Sequence, residues 1–395
     1  MCLRLMNFPG GLRNGSFVWT PTGFSLVENL RTGDQVIGGD GNVCQVLSVK
    51  PMPRQRCLTL IFDRGVSVTC ADTQTWLALH PAARFPTRHS HGKVEPNPRF
   101  DRWGVFAAGE MLRASGDAPL PRRRFLIPSA GVAQMAHHTT PIDAYLLGAL
   151  LGDGCLRNGT CYISTADHEL LAMVEALLPD GVGVRYGGKY DYGLVVAGGR
   201  GHGRSALGNP LTRILRDLEV YGRLSSEKIV PFSYLFNSPA VRLALLQGLL
   251  DTDGSVSATQ GSIEFSSTSR ALSAAVEFLV ASFGGKTCTE TRITKFTDKF
   301  GARRDGAASF RVRIRLPHVV PFRLTRKIKR LVRPVSTCDE RVLWSVQDAG
   351  VSDCTAFEVD SRARTMLVET GVVMHDGSAH DIRSAYTLSS QSFRI

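Results

Sequence analysis

The chain has 395 residues, 43% of them hydrophobic and 21% charged, and its 47 Lys and Arg against 35 Asp and Glu give a net charge of +12. This length predicts two or three domains, and the composition is typical of a globular protein rather than a disordered or fibrous one. The sequence has no apolar stretch near the ~20 residues of a membrane span, no signal peptide and no Cys-x-x-Cys pair, which predicts a reduced, cytoplasmic, non-secreted protein without structural zinc.

The two ends of the chain predict β structure. The stretch "SFVWTPTGFSLVENLRTGDQVIGGDGNVCQVLSVK", within residues 1–136, alternates apolar and polar residues as short strands between Thr-Gly, Gly-Asp and Asp-Gly turns. Residues 336–376 contain a second strand-rich stretch, "CTAFEVDSRARTMLVETGVVMHD", and residues 377–395 form a tail. Because these two parts flank residues 137–335, we expect one β domain with another domain inserted in it.

The middle section contains an internal repeat, which we divide into residues 141–230 and 231–335. Two apolar helices end in "LLGALLGDG" and "LLQGLLDTDG", which places Asp153 and Asp253 100 residues apart. A strand and a helix follow each one, in "CYISTADHELLAMVEALL" and "IEFSSTSRALSAAVEFLV", with Asp167 and Ser269 as helix N-caps and Ile163 aligned with Phe265. The pattern predicts a pseudo-twofold α/β pair.

The two acidic helix ends predict a metal site. Gly148, Ala149 and Gly248 allow the helices to pack closely, so that Asp153 and Asp253 would lie side by side. Two adjacent carboxylates repel each other unless a cation lies between them, and Mg²⁺ prefers such oxygen ligands. An EF-hand starting at Asp251 is excluded because it has Ser262 in place of the twelfth-position glutamate. The alternative, that each Asp merely ends a helix before glycine, puts an acid at the negative end of the helix dipole.

A basic segment predicts a polyanionic partner, most often nucleic acid. Residues 292–334 contain fourteen Lys or Arg and two Asp, a net charge of +12 that equals the excess of the whole chain. In "SFRVRIRL" the period of two puts three arginines on one open sheet face, which suits the DNA major groove. The following "RLTRKIKRLVR" would add phosphate contacts from a helix. The predicted DNA-binding residues are Arg185, Lys189, Arg311, Arg313, Arg315, Arg326, Lys329 and Arg330. The alternative is a solvated arginine face; a membrane-surface helix is disfavoured because its apolar face is narrow and lacks Trp.

Several motifs resemble a known family. "LLGALLGDG" and "LQGLLDTDG" resemble the paired motifs of LAGLIDADG homing endonucleases, and "TTPIDAY" and "EKIVPF" are similar to segments of endonucleases carried within inteins. "GSFVWTPTGFSLVENLRTGDQVIGGDG" and "AFEVDSRARTMLVETGVVMHD" resemble the first block and the last two blocks of an intein splicing domain, the Hint domain. The resemblance implies an α+β fold: a pseudo-twofold endonuclease of two αββαββα-like repeats inserted in an all-β Hint-type domain.

The resemblance also implies site residues. Asp153 and Asp253 match the metal-binding acids, and the backbone carbonyls of Gly152 and Thr252 would face the same ions. Lys228 matches a lysine near the attacking water, and Lys327 is the candidate counterpart in the second repeat, with Lys329 and Lys286 as alternatives. The implied activity is hydrolysis of both strands with Mg²⁺, for which Mn²⁺ can substitute, leaving short 3′ overhangs. The implied partner is a long site in double-stranded DNA, bound by a monomer.

The splicing blocks depart from the intein pattern. The position of the initial Cys or Ser falls on or beside Gly11, which has no nucleophile. "VTCADTQTW" has Thr69 but Asp72 or Thr73 in place of a histidine. His375 is kept, but Asp376 replaces the cyclising Asn and Gly377 follows in place of a Cys, Ser or Thr. We therefore interpret the splicing residues, with Asp360 among them, as vestigial. The basic stretches "RHSHGKVEPNPRFDRW" and "PRRRF" are either a DNA contact region or a polar insertion.

Three functions follow from these observations. The first is a site-specific double-strand DNA endonuclease that has lost splicing. The second is a self-processing protein with residual cleavage at His375-Asp376. The third is a DNA- or RNA-binding regulator or maturase of the same fold that does not cut. Retention of Asp153, Asp253 and Lys228 favours the endonuclease.

Overall fold

The computed structural model describes residues 10–79, 103–115, 125–157, 159–198, 208–259, 261–297, 301, 303–316, 319–331 and 340–378. Nearly all of the two basic stretches after residue 87, and residues 379–395 of the tail, lie outside these described residues. The chain folds into two compact units, one of residues 1–135, 282–284 and 336–395, the other of residues 136–281 and 285–335. None of the helices described is both long and apolar enough to cross a membrane.

The first unit is built from strands contributed by both ends of the chain. Its elements are β1 (Leu12–Arg13), β2 (Phe17–Thr20), β3 (Gly23–Leu26), β4 (Gln35–Ile37), β5 (Val43–Phe62), β6 (Ser67–Ala71), β7 (Thr75–Leu79), β8 (Trp103–Ala107), α1 (Ala108–Ser115), β9 (Leu126–Ile127), β18 (Arg341–Val359), β19 (Thr365–Val368) and β20 (Val372–His375). One sheet has the order β4-β5-β6-β1-β18-β9-β7-β8 and the other β20-β19-β2-β3. Buried side chains of both sheets, such as Val18, Leu58 and Phe357, form one core.

Strand β5 differs from the short strands expected for this region. It runs for 20 residues because it has a partner along nearly all of its length: β4 at one end, β6 at the other, and β18 from Phe62 back to Val46. The pairing of β5 with β18 is antiparallel and joins residues about 300 positions apart, as in Met52↔Cys354. The first unit therefore depends on both ends of the chain.

The second unit contains two copies of one element order. The first copy is α2 (Ala144–Asp153), β10 (Gly154–Cys155), β11 (Cys161–Ser164), α3 (His168–Ala176), β12 (Val182–Gly188), β13 (Asp191–Val196) and α4 (Pro210–Asp217). After α5 (Phe232–Leu235), the second copy is α6 (Pro239–Asp253), β14 (Gly254–Val256), β15 (Ile263–Ser267), α7 (Arg270–Ala281), β16 (Lys286–Thr297), β17 (Arg303–Arg315) and α8 (Thr325–Ile328). Both copies run αββαββα, and their sheets, β10-β11-β13-β12 and β14-β15-β17-β16, have the same order. The predicted fold class is confirmed.

Local signals place the elements where the repeat predicted them. The carboxylate of Asp167 accepts hydrogen bonds from the amides of Glu169 and Leu170 at the start of α3. The hydroxyl of Ser269 accepts one from the amide of Leu272, 3.0 Å away, at the start of α7. In the sheets Gly154 pairs with Ile163 and Gly254 with Phe265. These observations confirm both predicted N-caps and the alignment of the two copies.

The two motif helices, α2 and α6, touch through their glycines. A Cβ atom added to Gly148 would overlap the carbonyl oxygen of Leu245 and lie 3.1 Å from the Cα of Gly248. One added to Gly248 would overlap the carbonyl oxygen of Tyr145 and lie 2.7 Å from the amide nitrogen of Ala149. Only glycine lets two helix backbones approach this closely. The close packing expected from these small residues is therefore present.

Candidate metal and DNA-cleavage site

The ends of α2 and α6 meet just beyond the glycine contact. A Cβ atom on Gly152 would overlap the hydroxyl of Thr252 and lie 3.6 Å from the carboxyl carbon of Asp253. The charge of Asp153 in turn contributes to raising the pKa of Asp253. The structure thus brings Asp153, Asp253, Gly152 and Thr252 into one neighbourhood, as the pseudo-twofold arrangement requires.

Both carboxylates are partly removed from water. Burial, reinforced by the neighbouring Asp153, raises the pKa of Asp253 to about 6, although Lys228 and Lys327 act in the opposite direction. Burial also raises the pKa of Asp153. Two desolvated carboxylates close together are unfavourable unless cations compensate them. Ionisation at this site therefore costs free energy in the metal-free protein.

Lys228 lies at the end of the first motif helix. Its ammonium donates hydrogen bonds to the carbonyl oxygens of Gly152 and Gly154, at 2.7 and 2.9 Å. The hydroxyl of Ser269 donates to the carbonyl oxygen of Lys228 at 2.6 Å and so holds its backbone in place. Burial lowers the pKa of Lys228, whereas Asp253 and Asp153 raise it.

Lys327 occupies the corresponding place at the second motif helix. Its ammonium donates to the carbonyl oxygens of Leu250 and Asp251, both at 2.7 Å, and of Gly254 at 2.6 Å. Burial lowers the pKa of Lys327 to about 8. The alternative Lys329 is exposed, and Lys286 is a buried residue of β16 that pairs with Arg315 of β17. The geometry therefore favours Lys327 as the counterpart of Lys228.

A cleft combines groups from both repeats. It has a volume of about 240 Å³ and is lined by Leu151, Gly152, Ser225, Lys228, Asp253, Ser266, Ser267 and Thr268. Within the part of the chain that the structure describes, no three His, Cys, Asp or Glu side chains form a metal-binding cluster. The donors available at the helix ends are two carboxylates and backbone carbonyls, which are all oxygen ligands. This donor set fits Mg²⁺ or Mn²⁺. The carbonyl oxygen of Gly152 also accepts a hydrogen bond from the Lys228 ammonium.

Asp251 has a role that the sequence analysis missed. Its side chain is 1% exposed and accepts hydrogen bonds from the Tyr145 hydroxyl and the Arg323 amide, both at 2.9 Å, and from the Leu324 amide at 3.3 Å. Burial raises its pKa. The signal in the sequence was an acid on the buried side of an apolar helix, where it needs donors. The donors themselves lie more than 70 residues away from Asp251 in the sequence, Tyr145 before it and Arg323 and Leu324 after it.

Comparison with known proteins agrees with this geometry. Residues 240–306, which run from the first turn of α6 to the start of β17, match the family model of the LAGLIDADG-like domain. The chain contains a LAGLIDADG-like domain. Of the two motifs expected from the sequence, the one in the second repeat lies within the matched residues and is confirmed.

Similar proteins include a helicase, an intein and an endonuclease. The chain is 27% identical over 279 residues to the replicative DNA helicase DnaB of Mycobacterium intracellulare, covering 69% of this chain and 42% of the relative, so it spans less than half of that protein. The gp41-1 intein is 17% identical with a TM-score of 0.18, over 26% of this chain and 60% of that chain. I-DmoI in complex with DNA and Ca is 13% identical with a TM-score of 0.29, over 48% and 95%.

The three arginines predicted on one face of the sheet in the second repeat lie close to acidic side chains. Arg311 forms an ion pair with Glu264 at 2.9 Å, and Arg313 forms one with Glu290 at 3.1 Å. Arg315 is only half-exposed. Glu264 pairs across the strands with Arg313, and Glu290 with Arg311, so each acid faces an arginine. The predicted alternation is present, since Val312 and Ile314 are buried whereas the three arginines are not. DNA binding by these arginines stays a prediction, and two of them are already paired with acids.

The other predicted DNA contacts are arranged unevenly. Helix α8 is only four residues long, so a single turn carries the helix-borne contacts expected from "RLTRKIKRLVR" among the described residues 323–331. Arg326 forms an ion pair with Asp167 at 2.5 Å, whereas Lys329 and Arg330 are exposed just after α8. In the first repeat Arg185 and Lys189 are exposed on β12 and in the turn that follows it.

The predicted vestigial splicing positions lie in the first unit. Gly11 is buried, and a Cβ atom there would lie 2.6 Å from the backbone carbonyl carbon of Thr355, which leaves no space for a nucleophilic side chain. Thr69 lies with its hydroxyl 2.9 Å from that of Thr59 on the adjacent strand. Asp72 is half-buried, and its amide donates to the carbonyl of Arg56.

The remaining splicing positions also hydrogen-bond to backbone amides of the first unit. His375 is 1% exposed, and its Nδ1 accepts a hydrogen bond from the Gly377 amide at 2.9 Å. Burial lowers the pKa of His375. The carboxylate of Asp376 accepts from the Val359 amide at 3.0 Å, and that of Asp360 from the Gln45 amide at 2.7 Å. These acids thus serve as hydrogen-bond acceptors for backbone amides.

Proposed function

We propose that this protein is a site-specific endonuclease that hydrolyses both strands of a long double-stranded DNA site as a monomer. The observation that carries the proposal is the convergence of two carboxylates, Asp153 and Asp253, at the touching ends of two glycine-packed helices. A buried lysine, Lys228 or Lys327, lies at each helix end. Nothing in helix packing alone requires desolvated acids of raised pKa at this point.

The residues at the helix ends suit metal-dependent phosphodiester hydrolysis. Asp153 and Asp253, with the carbonyls of Gly152 and Thr252, would hold Mg²⁺ or Mn²⁺. A divalent cation in such a site supplies an activated water and stabilises the charge that develops on the leaving 3′ oxygen. Lys228 and Lys327 keep positive charge beside the two carboxylates, where the DNA phosphates would approach.

The DNA partner is supported by the charge of the chain and by one comparison. The basic segment 292–334 has a net charge of +12, which favours binding to the phosphate backbone through counterion release. I-DmoI, which resembles this chain at low identity, is known in complex with DNA and Ca. Because the curated relative is a replicative DNA helicase, the first target to test is an uninterrupted gene for that helicase.

The test is cleavage of a supercoiled plasmid that carries this target, with Mg²⁺ or with EDTA. We expect linear product with short 3′ overhangs in Mg²⁺ and none in EDTA, while a plasmid without the target stays intact. Tight, salt-sensitive binding without cleavage in either Mg²⁺ or Mn²⁺ would instead support a DNA-binding regulator of the same fold.

We further infer that the first unit no longer splices. The support is steric as well as chemical: position 11 is a glycine whose Cβ would collide with the backbone of Thr355, and Asp376 replaces the cyclising Asn. We therefore expect mass spectrometry of the purified chain to give the intact 43.0 kDa. A product shortened by the tail after Asp376 would show the residual self-cleavage of the alternative hypothesis.

A further inference from the structure

The two helix ends differ at one buried position. Asp251 in the second motif corresponds to Leu151 in the first, and both side chains are buried. A carboxylate in such a place is unfavourable unless hydrogen-bond donors satisfy it. Asp251 has three such donors, the Tyr145 hydroxyl and the amides of Arg323 and Leu324.

These donors tie the second motif helix to the segment that carries Lys327. The two amides belong to the residues directly before α8, and Lys327 follows within its single turn. The amide of Lys327 donates to the carbonyl of Leu324 at 2.9 Å, so the backbone held by Asp251 is bonded to the backbone of the lysine. The ammonium of Lys327 then returns to the carbonyl of Asp251 at 2.7 Å. Residues 323–327 thus form a short loop that is hydrogen-bonded to Asp251 at both ends: to its side chain through residues 323 and 324, and to its carbonyl through the Lys327 ammonium.

Other contacts of the loop are more exposed. Arg323 donates to the side chain of Gln247 at 2.9 Å and lies 4.4 Å above the ring of Tyr145. The Thr325 amide donates to the carboxylate of Glu169 at 3.1 Å, in an exposed position. Hydrogen bonds that water can replace constrain a backbone less than buried ones do. Among the bonds that hold the backbone of residues 323–325, those from the Leu324 amide to Asp251 are buried; the other buried bonds of the loop are made by the Lys327 ammonium itself.

Lys228 is positioned by a different device. Its backbone carbonyl accepts from the hydroxyl of Ser269, and residue 151 is an apolar leucine that offers no acceptor. The two lysines thus reach equivalent places through unrelated contacts. A change at Asp251 should disturb Lys327 and leave the anchor of Lys228 intact.

We propose that Asp251 is a positioning residue for one of the two cleavage centres: it holds the backbone that places Lys327, so that its loss impairs cutting of one DNA strand only. The proposal rests on the proposed endonuclease function. It adds to that function an asymmetry, since the LAGLIDADG-like domain would depend on Asp251 for one strand and on Ser269 and Lys228 for the other.

The experiment measures the cleavage rate of each strand separately, on a duplex target labelled at either 5′ end, with Mg²⁺. The main variant is Asp251→Leu, which introduces the residue of the first repeat. We expect the rate on one strand to fall about a hundredfold, as for an active group displaced by about 1 Å, and the rate on the other to change less than about threefold. Supercoiled plasmid should then accumulate as nicked circles.

Three further variants keep the result interpretable. Tyr145→Phe removes one donor but leaves both amide bonds, so the ratio of the two strand rates should stay near that of the wild type. Asp251→Asn keeps one oxygen acceptor and should restore part of the lost rate; it also serves if Asp251→Leu does not fold. Val276→Ala, in the core of α7, tests the effect of general destabilisation on both strands.

The outcomes separate the two proposals. Asp251→Leu and Val276→Ala are compared at equal melting temperature. If Asp251→Leu lowers the cleavage rates of both strands equally, and by as much as Val276→Ala does, the positioning role is overturned and the endonuclease function stands. Unchanged rates on both strands would also overturn it. If the wild-type protein cuts neither strand in Mg²⁺ or Mn²⁺, the proposed function fails and this inference fails with it.

Discussion

Replacing Asp253 by asparagine is expected to lower the rate of DNA cleavage about a hundred- to a thousandfold, the loss typical of removing one group that stabilises charge in the transition state. Asparagine has the same shape but no charge, so it weakens cation binding and leaves helix packing intact. Cleavage of the target plasmid in Mg²⁺ measures the effect. DNA binding, measured by gel shift at several salt concentrations, should stay within about threefold, since the basic segment is unchanged.

The same variant should raise the stability of the metal-free protein at neutral pH. In the unfolded chain Asp253 ionises near its ordinary pKa of 3.8, whereas in the folded chain its pKa is about 6. Between these values the unfolded state loses its proton first, so the free energy of unfolding falls as pH rises from about 4 to about 6. The difference between the two pKa values corresponds to a destabilisation of the folded state by about 3 kcal/mol above pH 6. An uncharged asparagine at position 253 avoids this destabilisation.

This second effect is checked by denaturant unfolding in EDTA, at pH 4.5 and pH 7.5. The gain from Asp253→Asn should be larger at pH 7.5. A loss of stability at both pH values would mean that the carboxylate is a structural element of the helix end. It would contradict the interpretation of the site as a place held ready for a cation.

Replacing Gly248 by alanine is expected to lower the free energy of unfolding of the second unit by about 3 kcal/mol. Helix propensity alone predicts the opposite sign, since alanine favours an exposed helix by about 1 kcal/mol. Here the added methyl overlaps the carbonyl oxygen of Tyr145 and lies 2.7 Å from the amide nitrogen of Ala149. Backbone atoms of a buried helix cannot turn aside as a side chain can. The two motif helices must therefore separate, which also moves Asp153 away from Asp253.

The distribution of tryptophan provides a control for this measurement. The four tryptophans of the chain, Trp19, Trp76, Trp103 and Trp344, all belong to the first unit. Denaturant unfolding followed by tryptophan fluorescence should therefore be nearly unchanged, while the helical circular dichroism signal is lost at lower denaturant. Gly183→Ala, in β12, is the matched variant, because a Cβ there meets nothing within 4 Å. Equal destabilisation by both substitutions would argue against a tight helix crossing.

Much of the second unit could be predicted from the sequence because the repeat encodes it locally. The spacing of Asp153 and Asp253, and the glycines five residues before each of them, require only the geometry of two crossing helices. Asp167 is an N-cap that hydrogen-bonds within three residues of itself. Such features follow from residues that are close in sequence. They were therefore accessible without knowledge of the tertiary fold.

The features that were missed depend on residues far apart in sequence. Arg313 faces Glu290, which only the register of β16 with β17 reveals. Arg326 faces Asp167 of the other repeat, and no periodicity links these two positions. Lys327 could be separated from Lys329 only once the short turn of α8 was seen to bury one and expose the other. Charge counts predicted how basic the segment is, but not which of its charges are already paired.

The pairing of β5 with β18 has a consequence for folding during translation. The contact Phe62↔Leu343 joins residues roughly 280 positions apart, which a ribosome synthesises in about 15 to 55 seconds at 5–20 residues per second. For most of that interval β5 has emerged from the ribosome but has not met β18, while residues 136–281 emerge with most of their own partners. An unpaired strand edge of this length is a site for aggregation. The segment of the nascent chain most exposed to aggregation is therefore β5, which is among the first to be synthesised. A chaperone that binds extended apolar segments would bind there.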